Sequence, residues 1–413
     1  MFHGARSLVL KALPAVVLLG GCGTPSSTPE ATGGSPGTGS GGTASGGATA
    51  TGGATSGAAG GATGGTIGSG GAAGTPAGTG GGRAGAGGRQ TGVAGAGGMS
   101  SGGASGATGG ISGGGGLDCP GASYDAAAPP KVLALSGNLG AHDPAAYVVG
   151  KTVYLAATGI ATKSSTNLTT WGSWPAAGNP HAGAWAPDIS NFGGVFHLYY
   201  AVSSFGSNKS CIGQETRSAL DTGAWAEQGN VICSNMGTND NWNAIDPNIV
   251  LDDAGVPWLD FGSFWGGIKM VKLKTDGTRA DTMLYDLASG PAGGAVEGPF
   301  IFKRCGYYYL FVSFGSCCSA PYNYTIRVGR SQTVTGPYVD KDGTSMMKGG
   351  GTLLVQGNGS WSAPGHNAVI TYDDKTYNVF HALAAPSGEN GTATLRIAEI
   401  AWDAGGWPVS GGP

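Results

Sequence analysis

Aromatic residues are missing from a long part of this chain: between Gly23 and Gly116 there is no Phe, Trp or Tyr, and charged residues are very few. A segment of almost only Gly, Ala, Ser and Thr cannot bury enough apolar surface to offset its conformational entropy, so it reads as a disordered, solvated tether. It also lacks the strict glycine period of collagen, which excludes a triple helix. As a Gly-rich coil of ~95 residues, at roughly 5 to 6 Å times the square root of the residue number, it would span on the order of 50 Å. Charge is scarce throughout, at 11% of 413 residues with a formal net charge of −3 and no basic stripe, which argues against nucleic acid as a partner. No run of twelve or more residues keeps a clean 3.6-residue apolar stripe, so long amphipathic helices are not expected.

The cysteines follow no zinc-ligand spacing. Cys22 stands apart from the other six, Cys119, Cys211, Cys233, Cys305, Cys317 and Cys318. An even number in an exported chain favours disulfides, with about fifteen connectivities open, and the adjacent pair Cys317-Cys318 would need a strained ring to bond to itself. Export is suggested by the N-terminus, where Arg6 and Lys11 precede an apolar stretch, Ala12 to Leu19, too short to span a bilayer as a helix. Gly20-Gly21-Cys22 then resembles a bacterial lipobox. Residues 1–21 are expected to be a lipoprotein signal peptide, Cys22 the acylated anchor and 22–117 the tether. The alternative is an ordinary signal peptide with an incidental cysteine.

What is present lies in residues 118–413. Five times the chain places a polar residue beside a proline or glycine and then a strand-like run: Asp143 before KTVYLAA, Asp188 before GVFHLYY, Asp246 before GVPWLDF, Glu297 before GYYYLFV and His366 before KTYNVFH. Aligned on their fifth residue, the runs put Leu155, Leu198, Leu259, Leu310 and Val379 in register. A strand-built repeat of ~40 to 50 residues points to an all-β, five-bladed β-propeller, one four-stranded sheet per blade. If the polar residues hold equivalent places, four carboxylates and one imidazole would converge near the axis. Paired carboxyl groups are what hydrolysis of a glycosidic bond needs, one to protonate the leaving oxygen and one to activate water or attack the anomeric carbon. Any single Asp-Pro could equally be a plain turn.

The ordered set HDP, WAPD, NAIDPN, FGSFWGGIKM, VEGPF, YYYLFVSFGSCC, IRVGRS, GPYVDKDG, GGGTLL and PGHN resembles the endo-acting arabinanases of glycoside hydrolase family 43, from about Ala141 to Pro413. The resemblance implies a five-bladed propeller that cleaves α-1,5-linked L-arabinofuranosyl chains with inversion. It implies Asp143 as general base, Glu297 as general acid and Asp246 as the carboxylate that keeps the acid's pKa raised and orients it. Inversion would set the carboxyl groups of Asp143 and Glu297 roughly 6.5 to 9.5 Å apart. Asn243, Ala244, Ile245, Ser263, Phe264 and Trp265 match substrate-lining stretches, and Trp185, Phe205 and Gly206 match cleft positions. His366 matches a histidine beside a calcium ion held mainly through water, a pairing that ligand chemistry alone would not suggest. Asp188 is expected to be structural, and His142, His197 and His381 to bind or pack. Arabinan is the expected partner of a monomer. An exo-acting or xylan-active propeller glycosidase and a non-catalytic carbohydrate-binding propeller are the alternatives.

Overall fold

The computed structural model describes residues 121–174, 181, 183–385 and 392–413. The expected signal peptide, Cys22, the tether and Cys119 lie outside the described residues. Five separate sheets follow one another along the chain. The first holds β1 (Ser136–Gly137), β2 (Ala145–Val149), β3 (Thr152–Ala157), β4 (Ala161–Ser165) and β5 (Thr170–Ser173). The second holds β6 (Trp185–Phe192), β7 (Val195–Val202), β8 (Ser210–Arg217) and β9 (Ala226–Ser234). The third holds β10 (Asn248–Leu251), β11 (Pro257–Phe261), β12 (Ile268–Lys272) and β13 (Tyr285–Ala288). The fourth holds β14 (Val296–Arg304), β15 (Tyr307–Phe314), β16 (Thr325–Ser331) and β17 (Thr352–Val355), and the fifth β18 (Trp361–Tyr372), β19 (Lys375–Ala384), β20 (Ala393–Trp402) and β21 (Pro408–Ser410). Each sheet is an antiparallel meander apart from the parallel pairing of β1 with β5. This is the five-bladed propeller the repeat predicts.

The second strand of every blade is covered on both faces by neighbouring blades, which is why it reads as a nearly continuous apolar run and not as an alternation. Leu155, Leu198, Leu259, Leu310 and Val379 all lie on these strands and are buried. Five hydrophobic clusters fill the five gaps between blades, and one of them joins Val379 and Ile397 of the last blade to Val153 and Leu155 of the first. That cluster closes the ring. The chain entering the first blade adds a second closure: Leu133 N–H donates to the Ile397 carbonyl at 2.8 Å, and Asn138 N–H to the Trp171 carbonyl at 2.9 Å.

Tight hairpins join first and second strands. In three of them, Gly193-Gly194, Cys305-Gly306 and Asp373-Asp374, both central residues have positive φ. Such turns match the right-handed strand twist. Cys211 and Cys233 sit directly opposite each other on β8 and β9 and are joined by a disulfide. Cys317 and Cys318 are bonded to each other, a pairing that the sequence alone disfavours. They lie between β15 and β16, where no strand ladder fixes the backbone.

Candidate active site

A cavity of about 580 Å³ opens at the end of the ring where first strands begin. At each blade entrance one residue takes a left-handed backbone: Asp143 (φ 52°), Ala186 (42°), Asp246 (58°), Gly298 (57°) and His366 (46°). Four of these precede a proline and His366 precedes Asn367. A left-handed non-glycine residue costs roughly 1 kcal/mol or more and is tolerated best by Asp, Asn and Gly. These five positions are the structural repeat, and they shift the sequence alignment at two blades. Glu297 lies one residue before its blade's left-handed position, and Asp188 two residues after. Asp143, Asp246, Glu297 and His366 therefore line the cavity, whereas Asp188 does not. Asp188 is buried on β6 and accepts a hydrogen bond from Asn248 Nδ2 at 3.1 Å. The convergence is of three carboxyl groups and one imidazole.

Asp143 is held from several sides. Thr158 Oγ1 donates to its Oδ2 at 2.6 Å, His142 Nδ1 lies 2.8 Å from the same oxygen, and His366 Nδ1 lies 3.2 Å from Oδ1. Its N–H donates to His381 Nδ1 at 3.2 Å, which leaves the proton of that buried ring on Nε2. Burial alone would raise the Asp143 carboxyl, but the charges and hydrogen bonds of His142 and His366 outweigh it and hold the group well below the usual range. Burial correspondingly works against protonated His366, yet Asp143 brings it up to about 9. His381 goes the other way, pushed well down by burial and by His142.

Glu297 on β14 receives a hydrogen bond from Ser263 Oγ at 2.7 Å and another from Tyr324. Burial raises its pKa against those two donors, and the charge of Asp143 raises it further. Asp246 is raised to about 7 by burial, by Glu297 and by Asp143, although His366 opposes the rise. Its Oδ2 accepts the Gly298 N–H at 3.0 Å, so it grips the backbone immediately after Glu297. One carboxylate is thus kept ionised beside two carboxyl groups that retain protons more readily. Carboxyl environments that diverge in this way are how one site assigns a base and an acid.

The walls are aromatic and half open. Trp185 and Phe205 pack at 4.7 Å between centroids, and Phe264 and Trp265 at 6.5 Å, with Phe205 47% and Trp265 45% exposed. Asn243, Ile245, Ser263 and Gly206 also line the cavity, and the buried Asn243 Oδ1 has no hydrogen-bond partner. Ala244 does not line it. Its methyl packs in the core between the second and third blades while its N–H donates to Ser234 Oγ at 2.9 Å, so it is a packing residue. His197 is likewise buried away from the cavity, stacked on Phe192. Sequence reasoning missed Thr158, Tyr324 and the bonded Cys317-Cys318 pair, whose Cys318 sulfur lies 3.5 Å from His142 Nε2. A lone threonine or tyrosine carries no periodic signal.

Known proteins resemble this chain in sequence and in structure. The family model described as "Glycosyl hydrolases family 43" matches residues 137–408. A protein of Cellvibrio japonicus described as "Extracellular exo-alpha-(1->5)-L-arabinofuranosidase ArbA" is 40% identical over 300 residues, covering 65% of this chain and 85% of that protein. One of Bacillus subtilis described as "Extracellular endo-alpha-(1->5)-L-arabinanase 1" is 39% identical over 287 residues, covering 65% of this chain and 86% of that protein. Among solved structures, an alpha-L-arabinanase of Cellvibrio cellulosa complexed with arabinohexaose is 39% identical with a TM-score of 0.62, covering 66% of this chain and 96% of that one.

Proposed function

The chain belongs to glycosyl hydrolases family 43 and is a glycoside hydrolase, and from that premise we propose that it hydrolyses α-1,5-linked L-arabinofuranosyl chains of arabinan, cutting within the chain and inverting the anomeric carbon. The observation that carries the reading is the divergence of the two carboxyl groups in one cavity, Asp143 held ionised and Glu297 raised toward its protonated form. Glu297 gives its proton to the departing glycosidic oxygen. Asp143 takes a proton from the water that attacks the anomeric carbon on the opposite face. One bond to carbon breaks as another forms, and exchange with solvent restores both groups. Asp246 positions the acid through Gly298. The exposed rings of Trp265 and Phe205 offer flat faces to the apolar sides of sugars.

Endo action is supported by the description of the Bacillus relative, while that of the Cellvibrio relative favours an exo reading. Incubating the purified protein with linear α-1,5-arabinan and sizing the products over time separates them. Early mixed oligomers are expected; arabinose alone would mean exo action, and no products would overturn the substrate.

Calcium beside His366 belongs to the same proposal. The protein there offers the imidazoles of His366 and His142 and the carboxyl groups already used by the reaction, not the roughly six to eight oxygen ligands calcium takes, so most of its shell would be water. Such an ion would add positive charge that favours ionised Asp143. Export fits relatives described as extracellular, and the same proposal gives the protein a lipid anchor at Cys22 and has it work as a monomer at the cell surface.

A further inference from the structure

Away from the catalytic cavity, the second blade carries a cluster that the glycosidase reaction does not use. Glu215 on β8 and Glu227 on β9 stand directly opposite each other across the antiparallel ladder. Like charges so placed are destabilising unless something neutralises them. Among the described residues their ion-pair partner is His181, from the chain that enters β6. Its Nε2 lies 2.6 Å from Glu227 Oε2 and 3.8 Å from Glu215 Oε1, and one donor atom from each residue falls within 4.8 Å of the others. The Glu215 side chain is 1% exposed, its Oε1 is the oxygen nearer His181, and burial together with a hydrogen bond shared with Glu227 pushes its carboxyl up to about 8, so in the metal-free cluster a proton takes the place a cation would hold.

The outer half of the cluster is fixed. Tyr200 donates its hydroxyl to Glu227 at 3.0 Å, Gly229 N–H donates to Glu227 Oε1 at 2.9 Å, and the Tyr200 ring lies 4.4 Å from the His181 ring. Ligand chemistry selects among cations. Calcium and magnesium prefer all-oxygen sets, whereas one imidazole with two carboxylates suits a borderline ion such as zinc. Bonds of about 2.0 to 2.2 Å in a tetrahedral shell place ligand atoms roughly 3.3 to 3.6 Å apart. The 2.6 and 3.8 Å separations of His181 from the two carboxylates straddle that value.

We propose that His181 Nε2, Glu215 and Glu227 form a zinc-class divalent metal site that leaves at least one coordination position to water. The bound ion ties the chain entering β6 to the outer strands of the blade. Trp185, on the cavity wall, begins β6 four residues after His181. The site is therefore placed to steady that wall without taking part in the chemistry.

The test uses the full chain freed of metal by chelation and titrated with cobalt(II), whose visible absorption reports coordination by nitrogen and oxygen, and then with zinc to displace it. One equivalent of cobalt with d–d bands of a four- or five-coordinate ion is expected, reversed by zinc. Affinity should fall by about tenfold or more in Glu215→Gln, which keeps the buried shape, and in His181→Asn, which alters the partly exposed ligand. Absence of bands in the wild type, or bands of undiminished affinity in both variants, would overturn the site. If Glu215→Gln does not fold, His181→Asn decides alone.

Discussion

Ser263→Ala should move one limb of the pH profile and leave the other in place. The proposed mechanism requires Glu297 protonated and Asp143 ionised, so kcat/KM should fall on the alkaline side as free Glu297 loses its proton and on the acid side as Asp143 gains one. Ser263 Oγ donates to Glu297 Oε2 at 2.7 Å, a bond that favours the ionised carboxylate and so restrains a pKa that burial and Asp143 push up. Hydrogen bonds to charged groups contribute about 1.5 to 3 kcal/mol. Water admitted to the half-open cavity recovers part of that. A net loss of about 1.4 kcal/mol corresponds to one pKa unit. The alkaline limb should therefore rise by about one pH unit, with kcat/KM on the plateau reduced less than about tenfold. Asp143 has its own donors, Thr158 and His142, so the acid limb should stay put. The assay is initial rates on linear arabinan across pH, fitted to two ionisations. An alkaline limb that stays or moves down would refute the assignment of Glu297 as the acid restrained by Ser263. Tyr324→Phe, which removes the second donor, should act with the same sign.

Glu297→Ala should lower turnover on arabinan by about 10²- to 10⁴-fold, because an unprotonated sugar alkoxide leaves poorly; near-normal rates would remove the acid assignment. Asp188 tests stability. Its folded pKa is raised by burial to about 7 from 3.8, so unfolded chains ionise first and stability falls as pH climbs through that window, while below 3.8 the penalty is absent. Asp188→Asn removes the titration and its amide oxygen can accept the same bond from Asn248. Taking the shift at about 1.4 kcal/mol per unit, the variant should gain up to about 4 kcal/mol relative to wild type between pH 4 and pH 8. Melting temperatures at both pH values check this, and a relative stability that does not change with pH would contradict it. For calcium, chelation should lower kcat and added calcium should restore it; unchanged activity in metal-free protein would exclude a required ion beside His366.

The blades are legible in the sequence because double burial turns each second strand into a continuous apolar run, and five such runs in one chain fit few folds besides a propeller. That Asp143, Asp246 and Glu297 come to one cavity is legible because Asp-Pro and Glu-Gly-Pro stand at blade entrances. Aligning on polar identity nevertheless misplaces Asp188 and Glu297 within the repeat, since the repeated property is a left-handed backbone and not a charge. Alignment on the residue before each proline pairs Ala186 with Asp143 and Asp246. Ala244 is misread for a related reason: it lies between strands, where no two-residue alternation tells core from cavity. Ser263 reaches Glu297 from the neighbouring blade, whereas Thr158 and Tyr324 reach Asp143 and Glu297 from segments between strands of the same blade, and none of these contacts has a local pattern. The offset of Glu297 has a steric cause. A Cβ on Gly298 would lie 3.0 Å from His366 Nδ1 and 3.1 Å from its ring carbon Cγ. The fourth blade therefore keeps a glycine at the left-handed position, which leaves room for the imidazole that holds Asp143, and its carboxyl group comes from the residue before. The break in the fivefold pattern is thus what lets Asp143 and Glu297, the proposed base and acid, occupy one cavity while His366 touches Asp143.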